Sequence, residues 1–315
     1  MLVLDAFSKV LPVLLLFALG AFFRRIGFLQ PTTIQDIKQL IVTVTLPAVL
    51  FLAFAAVTLE PGHLVIATAV FAACTAVLIA GRLLHSVAGT PSGYLPPLLT
   101  GFEAGMMGYA VFTAVYGADH IFNFAVVDLG QVVFVFFILV PYVQRLGSGA
   151  APLRQTVRGF FTTPVILSIF GGILVNRLGI MPALTAFPLT NAIFATLGLL
   201  GAVTTPLIAL VIGYEVNLQR RGLAAPVRTI GVRLVIWVGI GLLLNALVIS
   251  RLFPGDRVLQ AAVMTMFVLP PPFVTPLFMR NATPDDQRYV VNTLSLATLV
   301  TLIAFTIVSV LCAAA

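Results

Sequence analysis

Val268-Leu269-Pro270-Pro271-Pro272-Phe273-Val274-Thr275-Pro276 interrupts an otherwise apolar span that runs from residue 264 to residue 279. A proline ring removes a backbone N–H and clashes with the carbonyl four residues back. Pro270, Pro271 and Pro272 therefore deprive the carbonyls of Met266, Phe267 and Val268 of their helical partners. Inside a bilayer those groups find no water, and broken backbone is tolerated only where protein packs around it or a wet cavity passes it. One proline kinks a helix, but three in succession leave no single helix to kink. The stretch reads as a break at membrane depth and as a candidate transport site, in preference to a kink with a structural role alone.

The surrounding chain has the composition such a break requires. Of its 315 residues 60% are hydrophobic and 9% charged, and the mean hydropathy is +1.14. These values exclude an ordinary soluble domain and indicate a polytopic membrane protein. The net charge of +7 would suggest nucleic-acid binding in a soluble protein. Here the basic residues sit in short loops between apolar spans, so membrane orientation accounts for them and no nucleic acid is expected. Cys74 and Cys312 lie inside apolar stretches without CxxC spacing, which implies neither a disulfide nor a metal site. The first apolar run follows Asp5 and Lys9 without a small-residue cleavage site, so it is expected to be a retained helix.

Segments of about 20 apolar residues mark spanning helices. They fall near residues 7–23, 37–57, 63–84, 95–116 and 121–143, then 159–175, 191–216, 230–250, 258–279 and 289–311. The expected fold is thus an all-α polytopic membrane protein with ten transmembrane helices. Of the 17 Lys and Arg residues, 13 fall on one side of this layout, from Arg24 and Arg25 through Lys38, Arg220, Arg221 and Arg233 to Arg280 and Arg288. The positive-inside rule makes that side cytoplasmic and puts both termini outside. On this layout no arginine lies deep in any span.

The two sets of helices also match each other. At an offset of 152, Pro12, Val13, Leu15, Gly20, Arg25 and Gly27 meet Pro164, Val165, Leu167, Gly172, Arg177 and Gly179. After a slip of seven residues, Thr45 and Pro47 meet Thr204 and Pro206. This pattern suggests a five-helix repeat at 1–143, a short cytoplasmic linker at 144–158 and a second repeat at 159–315. Five is odd, so the second copy enters the membrane inverted, as in many secondary transporters.

A broken ninth helix should then have a counterpart in the fourth, which contains Gly101-Phe102-Glu103-Ala104-Gly105-Met106-Met107-Gly108-Tyr109-Ala110. Its glycines allow a break near residues 105–108, or alternatively close helix packing through Gly101 and Gly105. If the two breaks cross, two half-helix N-termini aim unpaired N–H groups at the midplane and favour an anion. The expected substrate-binding residues are Glu103, Gly105, Gly108, Tyr109, Pro270, Pro271, Pro272 and Thr275. Glu103 sharpens the expectation, because a carboxylate there either takes up a proton or holds a coupling cation. Asp128 and Gln131, three residues apart on one helix face, either support the crossing, relay protons, or form an interhelical bond without a transport role. Glu215 is placed to pair with Arg220 or Arg221, and Asn245 and Asn292 to join helices. The histidines His63, His85 and His120 sit at expected helix ends, no HExxH pattern occurs, and no enzyme activity is expected.

These residues resemble the auxin efflux carrier family, which includes bacterial malonate and malate permeases and plant auxin exporters. The likeness runs through Leu11-Pro12, Leu19-Gly20, Arg24 to Leu29, Leu46-Pro47-Ala48, Thr205-Pro206-Leu207 with Gly213, Leu269-Pro270-Pro271 through Pro276, Thr283-Pro284-Asp285 and Asn292-Thr293. The resemblance implies a scaffold domain and a transport domain in which the fourth and ninth helices cross, an elevator-like step, and a homodimer in the plasma membrane, or the inner membrane of a bacterium. Two positions depart from the family pattern. Its fourth helix often carries Asn and, two residues after a Gly, Pro, where this chain has Glu103 and Ala110. The expected function is secondary transport of a small organic acid anion, an auxin-like monocarboxylate or a malonate- or malate-type dicarboxylate. No cofactor is expected, and coupling to H+ or Na+ is left open. The alternatives are a bile-acid-type sodium symporter and a channel or receptor on the same scaffold.

Overall fold

A computed structural model describes residues 2–57, 59–147, 153–216, 221–279 and 282–314. All regular structure among them is helical. The principal elements are α1 (Leu2–Ile26), α2 (Pro31–Ala56), α3 (Pro61–Gly81), α4 (Leu95–Leu99), α5 (Tyr109–Tyr116) and α6 (Ala118–Leu146). After them come α7 (Pro164–Arg177), α8 (Pro188–Glu215), α9 (Ala224–Leu252), α10 (Arg257–Val268) and α11 (Pro284–Ala314). Seven helical segments of the described chain are long and apolar enough to cross a membrane, counting α4 through α5 as one. Two shorter apolar helices, α7 and α10, have 14 and 12 residues. The chain is therefore an all-helical polytopic membrane protein.

Local chemistry sets the helix boundaries. Helices α2, α3, α7, α8 and α11 all begin at a proline, where the missing N–H is needed least and the ring presets φ. Gly27 and Gly179 follow α1 and α7 with φ of +68° and +63°, the left-handed conformation that ends a helix without a Cβ penalty. The α3 start is a reciprocal cap in which His63 Nδ1 accepts from the Glu60 N–H at 3.0 Å. The His63 ring also stacks on Phe253, so this histidine has a structural task.

Helix pairs cross between the two sequence halves. Helix α1 packs along α8, and α7 along α2. The closest approaches use glycine. A Cβ on Gly20 would lie 2.0 Å from the Leu210 carbonyl oxygen, and one on Gly213 2.0 Å from that of Phe17. A Cβ on Gly172 would lie 2.6 Å from the Phe51 oxygen. Small residues allow this backbone contact, which in lipid is where helix association gains most. Helix α10 packs on a second group formed by α6, α9 and α11, and α3 lies along α6.

Candidate functional site

The fourth span breaks four residues earlier than the glycine spacing suggests. Helix α4 ends at Leu99, Thr100 is extended, and Gly101 takes φ +67°. A Cβ at Gly101 would also lie 2.8 Å from the Pro272 ring, so both conformation and crowding require glycine there. Residues 104–108 are not the break but a wide helical turn leading into α5. A Cβ on Gly105 would meet nothing within 4 Å among the described residues, whereas Gly108 lies tight against Phe124 and Leu269.

The ninth span breaks at the prolines. Helix α10 ends at Val268, Leu269 turns extended with ψ 154°, and after the prolines only a four-residue 3-10 turn, Thr275–Phe278, precedes Met279. The expected second half-helix is thus a single turn among the described residues. Two of those carbonyls find new donors. Met266 O accepts from the Leu269 N–H at 3.2 Å, and Val268 O from Thr301 Oγ1 at 2.7 Å.

The two breaks touch through Glu103, which is 8% exposed. Its N–H donates to Pro270 O at 2.9 Å. One carboxylate oxygen accepts from the Met106 N–H at 3.0 Å, and the other from the Phe273 N–H at 2.5 Å. The sequence suggested N–H groups converging on a substrate anion. In the fold the anion they hold is the protein's own Glu103, because the residue before a helical turn is the natural N-cap and its side chain reaches the N–H three residues on.

Arg233 was placed at the cytoplasmic boundary by the charge count, and the fold corrects this. It lies inside α9, 2% exposed. Its guanidinium donates to Leu98 O at 3.3 Å, Gly101 O at 2.6 Å and Leu269 O at 3.1 Å, and stands 4.9 Å from the Phe102 ring. One turn on, Trp237 Nε1 donates to Leu99 O at 2.7 Å. Carbonyls orphaned by both breaks are capped from one face of α9. The i,i+4 spacing of an arginine and the chain's one tryptophan was a legible sign. It was hidden because a charge count cannot tell a loop arginine from one a turn inside the span.

Asp128 and Gln131 do converge on the crossing. Gln131 Nε2 donates to Phe102 O and to Asp128, both at 3.1 Å, and the Tyr109 hydroxyl donates to Asp128 at 3.0 Å. Tyr109→Phe should therefore destabilise the protein by ~1.5–3 kcal/mol, the range for a bond to a charged group, with little extra loss once Asp128 is already Ala. Equal and additive losses in a thermal-unfolding double-mutant cycle would contradict the pairing. Thr275 and the oxygen of the Gln131 amide are buried without a hydrogen-bond partner among the described residues. Among the described residues Glu215 pairs not with Arg221 but with Lys38, at 2.7 Å, because the start of α2 lies beside the end of α8. Arg220, like Arg280, lies outside the described residues, as do residues 148–152 of the expected linker. Asn245 joins α9 to Gln260 of α10 at 3.1 Å, as a helix-joining amide should.

Two cavities approach the crossing. One of about 290 Å³ is lined by Lys38, Glu215, Phe273, Pro276, Ser295 and Thr298. The other, of about 640 Å³, lies among α2, α5 and α8 and is bordered by Tyr109, Thr113, Asp119 and Thr204. Together, fold and site define a polytopic helical membrane protein whose two discontinuous spans meet at a buried carboxylate. No protein-family model matches the chain, and a search of the curated proteins finds no similar sequence.

Proposed function

We propose that the protein is a secondary active transporter for a small organic acid anion, related in plan to the auxin efflux carriers. The observation that carries this reading is Glu103, which joins both breaks and bonds to Phe273, a residue lining one cavity, while Tyr109, in the turn that follows it, lines the other. A polar crossing of two broken spans with cavities bordering it is the arrangement that alternating access uses. Taking α1, α7 and α10 with the seven longer segments gives ten passages. Gly20 and Gly172, matched in the sequence, each bring a first-of-half helix against a partner from the other half, which supports two inverted five-helix repeats. The packing of α1 on α8 and of α7 on α2, joined through α1 and α11 to the helices around α10, supports a scaffold and a moving element, with an elevator-like step. A homodimer in the plasma membrane, with both termini outside, completes the proposal.

On this reading the substrate carboxylate displaces Glu103 from the Phe273 N–H, and Glu103 takes up a proton as it leaves the seat, which makes it the coupling group. Lys38 provides positive charge in the smaller cavity and exchanges Glu215 for substrate. The Lys38–Glu215 pair is part-exposed, so a double-mutant cycle should give a coupling of only ~0.5–1 kcal/mol in stability, while Lys38→Ala lowers apparent substrate affinity. A Lys38→Ala variant with unaltered affinity would remove this role. The function is tested by screening the purified protein against small organic acids by thermal shift at two pH values, followed by exchange in proteoliposomes. No acid-dependent shift and no exchange would overturn the reading, and single-channel currents would favour a channel.

A further inference from the structure

We propose that Arg233 is a resident cation filling the carbonyl cage in which a cation-coupled carrier would hold its metal ion, so that the crossing neither needs nor accepts sodium. In carriers with broken helices, unwound carbonyls and half-helix C-terminal ends coordinate the coupling cation. The corresponding oxygens here are already taken. Leu98 O, Gly101 O and Leu269 O converge on one guanidinium, Leu99 O accepts from Trp237 and Val268 O from Thr301. A hard cation needs several oxygens at short range in a space of its own, and the guanidinium occupies that space.

The compensation of its charge points the same way. Among the described residues no carboxylate lies within ion-pair distance of Arg233. Glu103 is engaged by two N–H groups and Asp128 by Tyr109 and Gln131. What faces the guanidinium is a set of carbonyl dipoles and the Phe102 ring, the environment that suits a buried cation lacking a counter-ion. The crossing is therefore supplied internally with both charges, a carboxylate for its N–H groups and a guanidinium for its carbonyls. Arg233 is a positioning residue that holds both breaks to α9. Only the consequence for transport rests on the carrier reading.

The test uses the full-length protein in lipid nanodiscs. Thermal unfolding of the wild type in sodium chloride and in choline chloride of equal strength should give the same melting temperature, and a saturable sodium-specific rise would overturn the inference. Arg233→Ala should melt well below wild type and regain part of the loss, saturably, with low-millimolar guanidinium but not with urea. A folded variant indifferent to guanidinium would overturn it too. If Arg233→Ala does not fold, Arg233→Lys keeps the cation and should unfold without sodium dependence, whereas a sodium-dependent rise would count against the proposal. Absence of any transport would overturn the carrier reading while leaving these melting results to decide on the cage.

Discussion

Glu103→Ala is expected to lower the stability of the purified protein by ~3–5 kcal/mol, and formate to restore part of the loss. The carboxylate accepts from two buried N–H groups on separate elements, Met106 and Phe273. Bonds to a charged group contribute about 1.5–3 kcal/mol each, and stranding a buried donor adds its desolvation penalty. Against this, removing the side chain relieves the cost of burying a charge, which holds the net effect within the stated range. The vacated seat is the size of a carboxylate and is lined by its donors. Formate at ten times its dissociation constant should therefore return about 1.4 kcal/mol, and chloride less, because it cannot span both N–H groups. Glu103→Gln retains an acceptor for one donor only, so it should lose about half as much and ignore formate. Chemical unfolding with and without formate reads both variants. If Glu103→Ala is as stable as wild type, or formate stabilises wild type equally, Glu103 is not what holds the breaks together.

The second large effect concerns assembly of the helix pairs. Gly213→Ala should destabilise the protein by about 3 kcal/mol or more, beyond the ordinary range for overpacking. The new Cβ would lie 2.0 Å from the Phe17 carbonyl oxygen, whereas ordinary contact begins at 3.4 Å. The obstacle is backbone, which no rotamer change can clear. Because Gly20 makes the reciprocal contact with Leu210, α1 and α8 would separate along their whole interface. Gly198 on the same helix is the control. A Cβ there meets nothing within 4 Å, so Gly198→Ala should stay within about 1 kcal/mol of wild type. Similar melting curves for the two variants would show that the α1–α8 contact is looser than its glycines imply.

The sequence located these features unevenly. The break at Pro270–Pro272 was legible because three prolines cannot be helical in any surroundings, so the local chemistry decided it alone. The fourth-span break was legible only as glycine-rich sequence. Gly101 and Gly108 are equally permissive in isolation, and it is the Pro272 ring and the Glu103 cap that select the earlier position. Tyr109, Asp128 and Gln131 could be grouped from polarity within apolar helices, but not which atom bonds to which.

What the sequence determined by itself is the helical membrane character, the start of five helices at a proline, and the ninth-span break, since each follows from composition or from residues adjacent in the chain. Only the tertiary structure decided how the breaks are satisfied. Arg233 caps carbonyls as many as 135 residues away in the chain, and Glu103 closes on an N–H 170 residues away. The physical reason is that an orphaned backbone group has no partner to name until another helix packs against it. In a bilayer without water, that partner must be protein.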